Sequence, residues 1–372
     1  MLQKKYDLVF EGGGAKGSTF VGAMRAFFEK GYAPRRLVGT SAGAITATLL
    51  AAGFTPDEML AAVNERDAQG KPRFASFMDP PTANDFSQAD KDNSNIMESF
   101  QRADVPFIPD GLENKFDHQF ISELMKLPHF RQLFCFVECG GLFAGDKFLE
   151  WIREKLAAKN PAYANATLAI FNSGTGNDLS LVTSDTDGGQ MLVLNHRTAP
   201  NCPVACAVRM SMSIPFVWRE VVWKKEWGSY LGEDITGHRM VDGGVLSNFP
   251  IALVDDQPRP GSYEQKVMGN TPADGAGTIG LLIDESLEVP GQPKNAKAGL
   301  AGKVNNLKTV QRVSRLIDTM TGAHDNIEIR THENLICRLP AAGYGTTEFD
   351  MESNRLKALI DAGYASMQLF IG

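Results

Sequence analysis

The chain has 372 residues, enough to bury a sizeable hydrophobic core without disulfide or metal staples. Hydrophobic residues make up 43% and charged residues 22%, which excludes intrinsically disordered and fibrous classes. With 37 Lys and Arg against 44 Asp and Glu, the net charge of −7 supplies no basic footprint, and no nucleic-acid partner is expected.

Five cysteines (Cys135, Cys139, Cys202, Cys206 and Cys337) are sparse and odd in number, which predicts reduced thiols in a reducing compartment. Two pairs have C-x3-C spacing, but structural zinc sites use C-x2-C or C-x4-C pairs, often with His, and Cys202 to Cys206 lies in an apolar helical run; no metal is expected. The longest apolar stretch, Ile45 to Phe54, is about half of the roughly 20 residues that span a bilayer. The start, MLQKK followed by a strand containing an acid, lacks the features of a secretory signal, so the expectation is a cytoplasmic protein.

In chain order, Tyr6 to Phe10 predicts a buried strand that ends in a glycine cluster, Gly12 to Gly14 with Gly17. Ser18 to Lys30 predicts a helix with Phe20, Met24, Phe27 and Phe28 on one face, stopped by Gly31. A strand at Arg35 to Gly39, a turn at Thr40 to Gly43 and an Ala-rich helix to about Ala52 follow, and Thr55, Pro56 and Asp57 open a further helix, Glu58 to Arg66. From about Gly70 to Gly111, prolines and Asn/Asp clusters replace regular periodicity; residues 70–140 are expected to form an irregular insertion, either covering a sheet edge or acting as a lid.

Beyond it, Asp146 to Lys159 predicts an amphipathic helix, and Thr167 to Asn172, Leu179 to Ser184 and Met191 to Asn195 predict strands. The last two flank Asp185-Thr186-Asp187-Gly188-Gly189, which reads as a hairpin turn. Val204 to Met212 predicts a helix; Arg239 to Val241 and Thr278 to Asp284 predict strands. Ala298 to Gly322 reads as a long helix covering the sheet with a solvated basic face, a membrane-surface helix being the other reading, and a strand and helix close the chain. Short strands alternating with helices predict one α/β domain over residues 1–372, with a mainly parallel sheet between helical layers and sites at the strands' carboxyl ends.

The chemistry concentrates in Gly39-Thr40-Ser41-Ala42-Gly43. A nucleophilic serine needs a tight turn from strand to helix with small residues on both sides, and the helix N-terminus behind it favours developing negative charge. Gly12-Gly13-Gly14-Ala15-Lys16-Gly17 also satisfies G-x-G-x-x-G, but no acid for a ribose occurs from Lys30 through Pro56, and Lys16 precedes the last glycine, so neither a dinucleotide site nor a P-loop is met. What remains is a nest of backbone N–H groups for an oxyanion, with Lys16 either adding positive charge or exposed to solvent. Six histidines occur, none in a distinguishing setting; the better partner for Ser41 is Asp242, delivered by an apolar strand into a Gly243-Gly244 turn. Asp187, in a polar stretch, reads as a turn residue.

Taken together, Gly12 to Gly17, Gly39 to Gly43 and Asp242 to Gly244, in this order, resemble the three signature blocks of patatin-like phospholipases, with Ser211 to Phe216 and Leu246 to Pro250 similar to the bacterial branch. The resemblance covers Tyr6 to Gly70 and Leu142 to Leu253, with a fainter match at Phe349 to Phe370. It implies a three-layer α/β/α fold and a serine acyl hydrolase that cleaves fatty acyl esters of phospholipids or lysophospholipids. Ser41 would be the nucleophile, Asp242 its partner in a dyad, and Gly12, Gly13 and Gly14 the oxyanion hole, supported by Lys16, Gly17, Gly39, Gly43, Gly243 and Gly244. No cofactor or metal is implied, and contact with a membrane surface would be transient; the sequence specifies no activator. A soluble-ester or acyl-CoA hydrolase, an acyltransferase and a silent lipid-binding module are the alternatives.

Overall fold

The computed structural model describes residues 3–92, 94–96, 98, 122–254, 258–270, 274–292, 325, 327–346 and 348–372. Its centre is a sheet in the order β10-β9-β1-β2-β4-β8-β7, with β5 also paired to β4. The strands are β1 (Lys5–Phe10), β2 (Ala33–Thr40), β4 (Asp178–Asp185), β5 (Gln190–Leu194), β7 (Val221–Val222), β8 (Arg239–Asp242), β9 (Gly277–Glu288) and β10 (Ile336–Ala342); β3 (Gly141–Phe143) and β6 (Phe216–Trp218) form a separate parallel pair. From β10 through β4 every pairing along the path is parallel, whereas β5, β7 and β8 join antiparallel. The sheet is therefore mixed and mostly parallel.

Both faces of the sheet are buried, as the near-continuous apolar strands require. Leu8, Phe10, Leu37, Ile279 and Leu281 point into the larger core, which they share with helices α1 (Thr19–Glu29) and α2 (Ala42–Ala51) and with the helix Asp146–Lys159. Val9, Val38, Val182 and Leu282 point the other way, onto a smaller core closed by Ile251, Leu253, Val267 and Met268. The predicted helix Ala298 to Gly322 lies outside the described residues. Among those described, no helix is long and apolar enough to cross a membrane.

Local signals set most boundaries. Helix α3 (Pro56–Val63) opens with a complete capping box: the Glu58 N–H donates to Thr55 Oγ1 (3.3 Å) and the Thr55 N–H to Glu58 Oε2 (2.7 Å). The Asp185 to Gly189 turn joins β4 and β5 as a hairpin. Within it Asp187 holds Arg239 (2.8 Å), a turn role.

The stretch Thr167 to Asn172 is a helix, Leu168–Thr175, not the strand its apolar run suggests. Thr167 caps it by accepting from the Ile170 N–H (3.3 Å), and Gly176 ends it in the left-handed region. In the insertion, short turns at Arg73–Phe77 and Ala83–Asp85 and the helix Pro128–Glu138 are described; residues 99–121 lie outside the described set.

One acid ties the first two strands together. Asp7 is fully buried, and its carboxylate accepts from Arg35 Nη2 (2.7 Å), Arg36 Nε (2.7 Å) and the Arg36 backbone N–H (3.1 Å). Replacing Asp7 by Ala leaves the buried Arg36 guanidinium without its counter-charge, a change expected to cost about 3–5 kcal/mol. Urea unfolding of Asp7→Ala beside the wild type measures this, and a loss below about 1 kcal/mol would refute the assignment.

Candidate active site

The site forms where one strand edge changes partners. Along one edge of β4, β2 pairs in parallel as far as Thr40 opposite Val182; at the next residue, Thr183, the same edge takes up Asp242, the last residue of antiparallel β8. The carboxyl ends of β2 and β8 therefore face each other. Ser41 follows Thr40 directly, so this register brings Ser41 and Asp242 to one point.

Ser41 is the hinge of a sharp turn from β2 into α2. Its backbone lies at φ 53 and ψ −118, a region that a non-glycine residue occupies at a cost of about 1–3 kcal/mol. The surroundings hold it there. The Ser41 N–H donates to Ser211 Oγ (3.0 Å), whose own hydroxyl donates to the Val182 carbonyl (2.5 Å), and the Ile45 N–H donates to the Ser41 carbonyl (3.2 Å) in the first turn of α2. Gly43 passes so close to the carbonyls of Phe10 and Glu11 that a methyl group there would overlap them, which explains the small residue two places after the serine.

Asp242 is buried, with one oxygen engaged: Oδ1 accepts from the Gly244 N–H (2.8 Å), while Oδ2 is enclosed without a hydrogen-bond partner of ordinary geometry among the described residues. Burial pushes its pKa up to about 7; the neighbouring Ser41 hydroxyl and the Gly244 N–H favour the charged form and oppose that rise. A carboxylate with a free oxygen beside a serine hydroxyl and a pKa near neutrality has the properties of a general base. The Asp242 N–H donates to the Ser213 carbonyl (2.9 Å), fixing the strand end.

The glycine loop lies across from this pair. A methyl on Gly12 would stand 3.2 Å from Ser41 Cβ, so the loop and the serine are in direct apposition. Along the loop the N–H groups of Glu11, Gly12, Ala15 and Lys16 are taken by Leu281, Asn248, Thr346 and Gly13 carbonyls. Those of Gly13 and Gly14 have no partner among the described residues. The sequence expectation groups Gly12 with them as a donor; its N–H is committed to Asn248 (3.0 Å), and what Gly12 contributes is room. Gly17 packs on Ala42, Gly39 on Gly43, Gly243 against the Val182 carbonyl and Gly244 beside the Asp242 carboxylate.

Lys16 is not solvent-exposed: it is buried, and its ammonium group pairs with Glu285 at the outer end of β9. None of the described histidines is bonded to Ser41. His238 pairs with Asp185 (2.9 Å), His196 lies near Asp178, His332 lies near Glu328, His129 is exposed, and His118 and His324 fall outside the described residues. Sequence reasoning does not single out Glu11, Ser211 or Asn248 for a role. Glu11 is partly buried behind the loop, its pKa pushed up to about 8 by burial against the opposing pull of the Ile283 N–H and the Lys16 charge. An acid directly before the glycine cluster is its one visible signal.

The family model described as patatin-like phospholipase matches residues 8–255. The uncharacterized protein YqhO of Bacillus subtilis (strain 168) is 30% identical over 373 residues, covering 98% of this chain and 97% of that protein. The uncharacterized protein R571 of Acanthamoeba polyphaga mimivirus is 24% identical over 253 residues, covering 67% of this chain and 61% of its own length. Among solved structures, VipD from Legionella pneumophila aligns with a TM-score of 0.45 at 14% identity, over 99% of this chain and 66% of VipD. ExoU of Pseudomonas aeruginosa, in complex with SpcU, aligns with a TM-score of 0.41 at 16% identity, over 99% and 52%. The chain thus spans about half to two thirds of those longer solved proteins. The family match takes in the glycine loop, the Ser41 turn and the Asp242 turn, and the YqhO likeness runs nearly end to end: the chain belongs to the patatin-like phospholipase family, a family of lipid hydrolases.

Proposed function

We propose that the protein is a serine acyl hydrolase that releases fatty acid from phospholipids or lysophospholipids through an acyl-Ser41 intermediate, with Asp242 as the only side-chain base. The observation that carries this reading is the meeting of the β2 and β8 ends on one edge of β4, which sets a strained serine beside a buried carboxylate whose pKa is about 7.

Asp242 Oδ2 accepts the Ser41 proton as Oγ attacks the ester carbonyl. The resulting oxyanion is held by the N–H groups of Gly13 and Gly14, donors fixed before the reaction begins. Collapse expels the lipid alcohol, which takes the proton from Asp242. A water molecule then attacks the acyl-Ser41 ester and gives its proton to Asp242; collapse releases the fatty acid, and Asp242 returns that proton to Ser41 Oγ, leaving the serine free and the carboxylate ionised. Each half of the cycle needs one group that takes a proton and then gives it back near neutral pH, and Asp242 fits that need.

From its sequence alone, the insertion at residues 70–140 is read as a cap or lid, covering a sheet edge being the other reading, and the sparse, odd cysteine content supports a cytoplasmic location. A capped lipase gains rate at an interface, so mixed-phospholipid vesicles should be turned over faster than soluble short-chain esters at equal ester concentration.

Three outcomes test the proposal. Ser41→Ala and Asp242→Asn should each lower fatty-acid release from vesicles by about a thousandfold or more with the fold retained, read by mass spectrometry of the products. Release retained in either variant sinks the dyad. The wild-type kcat/KM should rise with pH along a single limb centred at about 7, because Asp242 must be ionised to act.

Stability should run the opposite way. A carboxyl whose folded pKa is raised from 3.8 to about 7 loses stability as pH climbs through that window. Asp242→Asn lacks this loss, so it should be more stable than the wild type at pH 8 by a few kcal/mol, the difference growing by up to about 1.4 kcal/mol for each pH step of one across the window and closing toward pH 4. Denaturant unfolding at the two pH values measures this; equal stability at pH 8 contradicts a buried, uncompensated carboxylate.

A further inference from the structure

Asn248 joins the two halves of the site from outside it. It lies in the loop that follows the Asp242 turn, and three of its groups reach the glycine loop or its surroundings. Its backbone carbonyl accepts the Gly12 N–H (3.0 Å). Its side-chain Nδ2 donates both to the Gly12 carbonyl (3.1 Å) and to Glu11 Oε1 (3.0 Å). Its Oδ1 fills the gap between Gly12 and Gly244: a methyl on Gly12 would overlap that oxygen, and one on Gly244 would come within 2.9 Å of it.

Asn248 is itself anchored, because its backbone N–H and that of Phe249 donate to Asp325 Oδ2 (3.0 and 3.2 Å). Glu11 is anchored in turn by the Ile283 N–H on β9 (2.6 Å). At the far end of the glycine loop, the Ala15 N–H donates to the Thr346 carbonyl (2.8 Å). The loop is pinned on both sides of Gly13 and Gly14, and the two N–H groups without described partners lie between the pins.

We propose that Asn248 is a positioning residue: it clamps the glycine loop to the Asp242 turn and so sets where the Gly13 and Gly14 N–H groups stand relative to Ser41. This deepens the hydrolase reading and rests on it. A primary carboxamide fits the task because it can donate two hydrogen bonds from one nitrogen, to a backbone carbonyl and a carboxyl, while its oxygen remains free to fill space against glycine. Aspartate has the shape without the donors, and alanine has neither. A donor array displaced by a fraction of an ångström still admits substrate but holds the oxyanion poorly, so the loss should fall on kcat.

The test uses the full chain with Asn248→Ala and Asn248→Asp, each compared with the wild type by hydrogen–deuterium exchange and by kinetics on a soluble short-chain ester. Peptides covering residues 10–17 should exchange about tenfold faster or more in either variant while peptides from β2 and α2 do not change, and kcat should fall about tenfold to a hundredfold at a KM within about twofold. Unchanged exchange of residues 10–17 in a folded variant overturns the clamp. Faster exchange with kcat retained overturns the positioning role while leaving the hydrolase reading intact. A wild type with no Ser41-dependent turnover overturns both. Should Asn248→Ala not fold, Asn248→Asp gives the same readouts, and Gly12→Ala, which displaces the Asn248 carboxamide from the other side, should reproduce the fast exchange.

Discussion

The arrangement of the site depends on a single edge of β4. Up to Val182 that edge bonds β2, and from Thr183 it bonds β8. Two strands from distant parts of the chain thereby end against each other, and whatever follows their last residues must share the space beyond. Ladder hydrogen bonds fix the register: a slip of one residue would turn every side chain of the slipped strand to the opposite face. The apolar alternation of Leu37 and Val38 between two different cores guards against that slip on β2. The positions of Ser41 and Asp242 are thus set by packing well away from either side chain.

The same arrangement concentrates unfavourable energy. Ser41 sits in a strained backbone region, and the buried Asp242 and the partly buried Glu11 are carboxyl groups where ionisation is costly. The two apolar cores on either face of the sheet offset these costs, since aromatic and aliphatic side chains such as Phe10, Phe20, Trp151 and Leu281 are buried in full or nearly so. A rigid frame on both sides lets the turn keep a geometry that an isolated peptide would abandon.

Local features are legible in the sequence and long-range ones are not. The Ser41 turn declares itself through small residues between an apolar strand and an Ala-rich helix, and the three blocks in order identify the family. Thr167 to Asn172 misleads because a short apolar run satisfies strand and helix alike, and the capping Thr167 and terminal Gly176 outweigh it. The antiparallel course of β8 is hidden because a four-residue strand carries no sign of direction. Lys16 reads as a surface lysine or a free charge because its partner, Glu285, is 269 residues further on. Asn248 falls in a stretch, Leu246 to Pro250, that resembles the family, but the resemblance assigns it no role; the role proposed for it exists only once residues 12 and 248 are neighbours.

The pairing of Lys16 with Glu285 changes what kind of anion the glycine loop can attract. With that ammonium group matched by a carboxylate, the loop offers dipoles and little net charge. A free chloride or phosphate would give up its hydration for two N–H groups and no counter-ion, an unfavourable exchange. An oxygen that arrives as part of a neutral ester and gains its charge only during attack forfeits no such hydration shell. As the proposed oxyanion hole, the loop would therefore discriminate between anions by their history, poor at capturing those already charged in solution and suited to one created in place.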